Sequence, residues 1–269
     1  IGLGLPKATI RIVIDGDEKH VMQPQTGRDV TKLMREHTLD FFSQIGDVDG
    51  FVLKNRSPSC GIKAVKYYRS ADVNTAFERG TGLFGGMVLE EYPYTPVEDE
   101  GRLKDFTIRY NFYTKVFTRA FFREVKESER LSELVRFHSV NKYLFMAYNQ
   151  SALREMGRIV ANQDGRTFGH MISDYEKQMN RLFSQNARKP SNINVLQHCM
   201  GYFKTQLNSD EKQFFLDLLD GYRMGKKPLS APVEVLRSWI LRFGNEYLKD
   251  QRFFQPFPWE LIESGTVDA

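Results

Sequence analysis

Residues 50–61 read Gly50-Phe51-Val52-Leu53-Lys54-Asn55-Arg56-Ser57-Pro58-Ser59-Cys60-Gly61. The short apolar run Phe51-Val52-Leu53 has the character of a buried strand, and the polar residues after it end that strand in a tight turn. Pro58 fixes its own φ and Gly61 can take a positive one, so the turn is stiff and delivers a single thiol at a strand end. Asn55, Ser57 and Ser59 offer amide or hydroxyl groups, and Lys54 and Arg56 bring two cations, all within six positions of the sulfur. Cations near a sulfur favour the thiolate, the form that binds metal and acts as nucleophile. A buried free cysteine is the plainer reading of the same residues.

Outward from this turn, strands alternate with helices. Residues 8–14 are rich in β-branched residues interrupted by a cation, which predicts a strand, and Asp15-Gly16-Asp17 turns the chain back through His20-Val21-Met22. Asp29 is the expected N-cap of a helix running to about Gln44, with Val30, Leu33, Met34, Phe41 and Phe42 at helical spacing. Val65-Lys66-Tyr67-Tyr68 reads as a further extended piece, at an edge. Gly80-Thr81-Gly82 opens a helix over 83–91 whose N-terminus is a potential anion site. It lacks the remaining glycines and the lysine of a phosphate loop, so close backbone approach near Cys60 is its expected role. Tyr92-Pro93-Tyr94-Thr95-Pro96 and Glu98-Asp99-Glu100-Gly101 form the clearest loop. Such alternation predicts an α/β layered domain, assigned to residues 1–118.

Beyond an aromatic-rich connector at 106–125, every strong pattern is helical. Segments near 128–148, 150–162, 168–186, 190–206, 209–224, 231–243 and 245–251 carry apolar residues three and four apart. Ser209-Asp210-Glu211 and Ser230-Ala231-Pro232 read as helix starts, and Gly225 as a C-cap. Residues 119–269 are therefore expected to form an all-α helical bundle domain.

With 41% apolar and 13% aromatic residues, the chain of 269 residues can bury sizeable cores. The net charge of +4 is nearly even across the chain, with 17 cations against 16 anions through residue 120 and 21 against 18 after it. That is a weak tilt of the second half towards an anionic partner. Two distant cysteines, Cys60 and Cys199, do not make a disulfide framework and suit a reducing cytoplasm. No apolar run reaches the length of a membrane span, and no signal peptide is visible.

Lys54-x-Arg56-Ser57-Pro58-Ser59-Cys60-Gly61, preceded by Asp47-Val48-Asp49-Gly50-Phe51, resembles the thiouracil desulfidase (TudS) family. Ile1-Gly2-Leu3-Gly4-Leu5-Pro6-Lys7 and Thr26-Gly27-Arg28-Asp29-Val30-Thr31 match the same family in order and spacing. Phe137-His138, Asn194-Val195-Leu196-Gln197-His198 and Gly201-Tyr202-Phe203-Lys204 resemble the YbgA-like helical domain. The fused form is similar to the RudS-type desulfidases, which take sulfur from 4-thiouridine in tRNA. What the resemblance implies is that Cys60 gives one of three thiolates to a 4Fe–4S cluster whose fourth iron takes the substrate sulfur. Two further cysteine ligands and the general acid or base are then expected upstream of Ile1. The chain opens there inside a Gly-rich turn that should follow a strand, so the α/β domain is expected to be truncated at its N-terminus.

One cysteine cannot hold such a cluster alone. Ser57, three positions before Cys60, either hydrogen-bonds the pyrimidine and relays a proton or merely satisfies the turn. Lys54 and Arg56 are candidates for substrate phosphate, and solvated cations otherwise. In the helical half, His138 and Lys142 are four apart on one expected helical face, and His198 precedes Lys204. A His pair binding metal is outweighed by structural histidines, and Cys199 reads as a core residue. Arg119, Arg123, Lys126, Arg136, Lys142, Arg154 and Arg158, with Tyr143 and Tyr148, either track an RNA backbone or form a solvated face. The expected protein is a cytoplasmic, iron–sulfur-dependent desulfidase of 4-thiouridine in tRNA, with Lys142 and Lys204 on the RNA and no membrane partner. The alternatives are a desulfidase of free thiouracil or thiouridine and a non-catalytic RNA-binding scaffold.

Overall fold

A computed structural model describes residues 8–72, 74–162 and 164–261, so the expected Gly-rich turn at 2–7 lies outside the described residues. The chain divides into two units, 1–112 and 113–269, with the division inside one helix.

The first unit is built on a sheet in the order β3-β2-β1-β5-β6, from β1 (Arg11–Asp15), β2 (Glu18–Gln23), β3 (Arg28–Asp29), β5 (Val65–Tyr68) and β6 (Glu78–Gly80). β1 and β2 pair antiparallel across the expected turn, with Ile12 opposite Val21. β5 runs parallel to β1 and antiparallel to β6. It is therefore interior to the sheet, not at the expected edge. Side chains alternate along a strand, so Ile12, Val65 and Tyr67 cluster on one face. On that side Val21 packs with Val30, with Met34 of α1 (Thr31–Ile45) and with Leu83 of α2 (Leu83–Glu91). Asp29 lies one residue outside the helix cap, which is Val30. Its carboxylate still serves the helix start by accepting from the Thr31 amide at 2.8 Å.

The strand that precedes Cys60 stands in a second sheet. β4 (Phe51–Leu53) pairs parallel with β7 (Val97–Asp99), in the register Phe51 to Val97 and Leu53 to Asp99. The stretch expected to be a loop thus contains a strand, and β4 is half-open: Phe51 is buried, but Val52 is 55% exposed. Phe51 meets the Tyr92 ring at 5.0 Å, and Tyr92 meets Phe42 at 5.4 Å, which ties β4 to α1 and to the end of α2.

The second unit is helical. After α3 (Phe106–Ser128) come α4 (Leu131–Val140), α5 (Lys142–Tyr148), α6 (Gln150–Ala161), α7 (Phe168–Phe183), α8 (Lys189–Met200), α9 (Ser209–Arg223), α10 (Ser230–Phe243) and α11 (Glu246–Lys249). Its one large core includes Phe122, Phe137, Phe145, Tyr175, Phe203 and Phe215, all essentially fully buried. The helix expected over 128–148 is broken at Asn141, whose buried amide donates to the Phe137 carbonyl at 2.8 Å. α9 starts at an Asn208–Glu211 capping box, one residue ahead of the expected serine. Among the described residues, no helix is long and apolar enough to cross a membrane.

Candidate active site

The Cys60 turn is held from three sides. Where β4 ends, Glu100 reaches across from the end of β7 and accepts from Lys54 Nζ at 2.5 Å and from the Asn55 amide at 2.7 Å. The Lys54 hydrogen bond first, then the Asn55 amide, hold the Glu100 carboxyl below the usual carboxylate range. Lys54 therefore has its charge on a carboxylate. Arg56, next to it, is exposed and sits at φ 52°, a left-handed conformation that costs a side chain energy.

Ser57 closes the turn itself. Its Oγ accepts from the amides of Ser59 and Cys60, each at 3.2 Å, while its carbonyl accepts from Gly61 at 2.9 Å. A hydroxyl accepting two such bonds keeps one proton to donate elsewhere. The Cys60 sulfur is half-buried and lies 3.6 Å from Ser59 Oγ.

The third support is α2. The amides of Gly82, Leu83 and Gly85 donate to the carbonyls of Gly61 (2.7 Å), Pro58 (3.0 Å) and Ser59 (3.0 Å). Three of the donors that a helix start leaves unpaired are thereby spent on the turn, so the anion site expected there does not form. The expected close approach does form. A Cβ on Gly82 would lie 2.3 Å from the Ser59 carbonyl oxygen, and one on Gly85 2.6 Å from that of Cys60. Gly61 has the same purpose: it is absent from the positive-φ glycines, but a Cβ there would lie 2.4 Å from Val65.

In the helical unit the break at Asn141 separates His138 from Lys142. His138 Nδ1 is 3.0 Å from the Tyr175 hydroxyl, and burial, then the Lys142 charge, lower its pKa to about 4. His198 and Lys204 are exposed. Cys199 is fully buried in the core, and that burial pushes its thiol up. Several of the cations expected to track RNA pair with carboxylates instead: Arg123 with Glu127, Lys126 with Glu176, Arg136 with Glu133 and Arg158 with Glu155. Tyr143 is buried, yet its hydroxyl donates to Tyr202 at 3.1 Å, and Tyr202 stacks on Tyr247 at 5.9 Å. Lys142 lies over the Tyr143 ring at 5.9 Å. Lys142 thus adjoins a tyrosine cluster that sequence reasoning missed, because its three members are far apart in the chain.

A cluster needs three or four thiolates. Among the described residues no group of three or more His, Cys, Asp or Glu is placed to hold a metal ion. Of the two cysteines, Cys199 is locked in the helical core, so residues 1–269 bring one thiolate to this turn and do not complete the donor set.

Residues 1–100 match the family model described as 2-thiouracil desulfurase, which supports a thiouracil-desulfidase kind of activity. Residues 142–258 match the model of a protein of unknown function, DUF1722. Over 126 residues, 46% of this chain and 75% of the relative, the sequence is 31% identical to the uncharacterized protein YbgA of Escherichia coli strain K12. No solved structure matches the chain significantly. By these matches the chain belongs to the YbgA family, with a 2-thiouracil desulfurase-like domain fused ahead of its YbgA-like helical domain.

Proposed function

We propose that the chain acts in the removal of sulfur from 4-thiouridine in tRNA, giving uridine. In the net reaction the C4–sulfur bond breaks, water supplies the new oxygen at that carbon, and sulfur leaves with two protons as hydrogen sulfide. No electron is gained or lost. The observation that supports this reading is a half-buried thiol on a backbone-locked turn, inside the unit that matches the desulfurase family. Cys60 would give one thiolate to a 4Fe–4S cluster, whose donor set residues 1–269 do not complete. Ser57, with both acceptor positions taken by amides, presents its remaining proton to the pyrimidine. The helical unit offers the Tyr202–Tyr247 stack for unpaired bases, with Lys142 and Lys204 for phosphates.

A free thiouracil or thiouridine substrate is the second reading, favoured by the family description and by the number of helical-unit cations already ion-paired. A non-catalytic RNA-binding scaffold is the third, favoured by the single thiolate. The experiment is iron content, visible absorbance and turnover of full-length protein purified without oxygen. 4-Thiouridine tRNA and free 4-thiouridine serve as the two substrates. Cys60→Ser should lose iron and activity together, and Ser57→Ala should keep iron while losing roughly 10²-fold in turnover. A Cys60→Ser protein with full iron and wild-type rates would sink the reading.

A further inference from the structure

The four residues that lead into the Cys60 turn have little of their own to hold them. Lys54-Asn55-Arg56-Ser57 follow directly on β4, and the hydrogen bond that closes them, from the Ser57 amide to the Lys54 carbonyl, is 3.5 Å long. The usual amide–carbonyl distance is about 2.9–3.0 Å. Arg56, third of the four, sits at φ 52°, where a turn calls for Gly or Asn. A long closing bond and a left-handed arginine both favour opening. Something outside these four residues therefore keeps them shut.

The first amides of α2 serve the carbonyls of Pro58, Ser59 and Gly61, beyond this entry turn. The end of β7 reaches it instead. Glu100 sets one carboxylate oxygen on Lys54 Nζ and the other on the Asn55 amide, and its own amide donates to the Leu53 carbonyl at 3.3 Å. An exposed ion pair alone contributes little, and the Lys54 side chain is 71% exposed. This carboxylate is backed on both sides. Asp99, buried beside it, accepts from the Arg102 amide at 2.8 Å, and the Arg102 guanidinium forks onto Glu98 at 2.7 and 3.1 Å. Gly101 closes the other side, since a Cβ there would lie 2.4 Å from Asn55 Nδ2. Asn55 is thus held by main chain and side chain, directly before the strained residue. Ser57 comes directly after it, with Oγ already on the Ser59 and Cys60 amides.

We propose that Glu100 is a positioning residue for the reaction at this turn: it holds residues 54–57 closed over a strained Arg56 and so fixes the direction of the Ser57 hydroxyl. The inference rests on the desulfurising reading, in which Ser57 presents its proton to the pyrimidine, and deepens it. Glu100 acts only through Ser57. A backbone kept in a rare conformation by groups around it is preorganised, and a small displacement of a positioned proton donor lowers the rate rather than the affinity.

Two readouts on the full-length protein test this, one of them independent of turnover. Glu100→Gln should lower the hydrogen-exchange protection of the Ser59 and Cys60 amides roughly fivefold or more, although Glu100 bonds to neither. Arg56→Asn added to that variant should restore much of the protection, because Asn takes positive φ more readily. On 4-thiouridine tRNA, at matched iron content, Glu100→Gln should lower kcat roughly tenfold with KM unchanged. In a Ser57→Ala background the same substitution should cost less than about twofold more, which a merely structural role would not produce. Glu100→Ala, which removes both acceptors, should enlarge each loss. Unchanged Ser59 and Cys60 protection in both Glu100 variants overturns the proposal, as does a full further loss of kcat in the Ser57→Ala background. Coupled protection in a protein that desulfurises nothing rejects the function and leaves Glu100 holding Ser57. Desulfurisation by Glu100→Gln and Glu100→Ala at the wild-type rate keeps the function and rejects the positioning role.

Discussion

The two units are held together by different means. In the helical unit, large side chains fill one continuous core in which Phe122, Phe137, Phe145 and Tyr175 are ring-to-ring neighbours. In the α/β unit the apolar clusters are small, and the region around Cys60 is fastened by backbone to backbone, with α2 donating its first amides to the carbonyls of residues 58–61. Side-chain packing is sensitive to atoms removed, because a cavity remains. Backbone approach is sensitive to atoms added, because the carbonyl on the far side cannot step aside. The unit with the thinner core carries the half-buried thiol of Cys60, and its rigidity there comes from hydrogen bonds and missing side chains rather than from apolar mass.

That contrast can be tested from both ends. Phe137→Ala should have the largest effect, a loss of about 3–5 kcal/mol read from denaturant unfolding of the helical unit. A loss below about 1 kcal/mol would mean the aromatic core is not what holds that unit. His138 sharpens the same point through pH. Burial lowers its folded-state pKa to about 4, so the unfolded chain takes up the proton first as pH falls below the ordinary value near 6.5. Its contribution is whole above that value and drains away between about 6.5 and 4, at most about 3 kcal/mol. His138→Gln should flatten the slope of stability against pH across that window. An unchanged slope would assign it to other groups.

Gly82→Ala tests the other unit: a single added methyl against the Ser59 carbonyl should cost about 1–3 kcal/mol and speed modification of Cys60 by a thiol reagent. Unaltered Cys60 reactivity would show that the turn does not depend on α2. Glu100 should give the smallest effect. Its carboxylate is held low by Lys54 and Asn55, so its contribution is present above the ordinary carboxylate range and is lost as pH falls through the depressed value. The protection factor of the Asn55 amide against hydrogen exchange should fall over that acidic range, and Glu100→Gln should lower it at neutral pH. Identical exchange in variant and wild type would break the clasp.

Much of this was legible in the residues, and the misses share a cause. β1, β2, α1, α2 and nearly every helix after residue 128 follow from local periodicity, and the turn at Ser57–Cys60 from its Pro, Ser and Gly content. β7 was hidden because Val97-Glu98-Asp99 sits between Pro96 and Gly101 and becomes a strand only by pairing with β4, a partner remote in the chain. The break at Asn141 has no Gly or Pro to announce it; a buried amide turning back on Phe137 produces it. At the site, composition showed Lys54 as a cation but not that Glu100 would occupy it.

The parallel pairing of β4 with β7 also sets an order of events during synthesis. Leu53 meets Asp99, so β4 is made well before the strand that will flank it. At about 5–20 residues per second, the intervening stretch takes roughly 2–9 s to make. Throughout that interval neither the flanking strand nor the Glu100 clasp is there to shut the Cys60 turn. A nascent chain therefore offers its thiol more openly than the finished protein does, and whatever must reach that sulfur has its easiest passage after Cys60 has emerged and before β7 and Glu100 have followed it out.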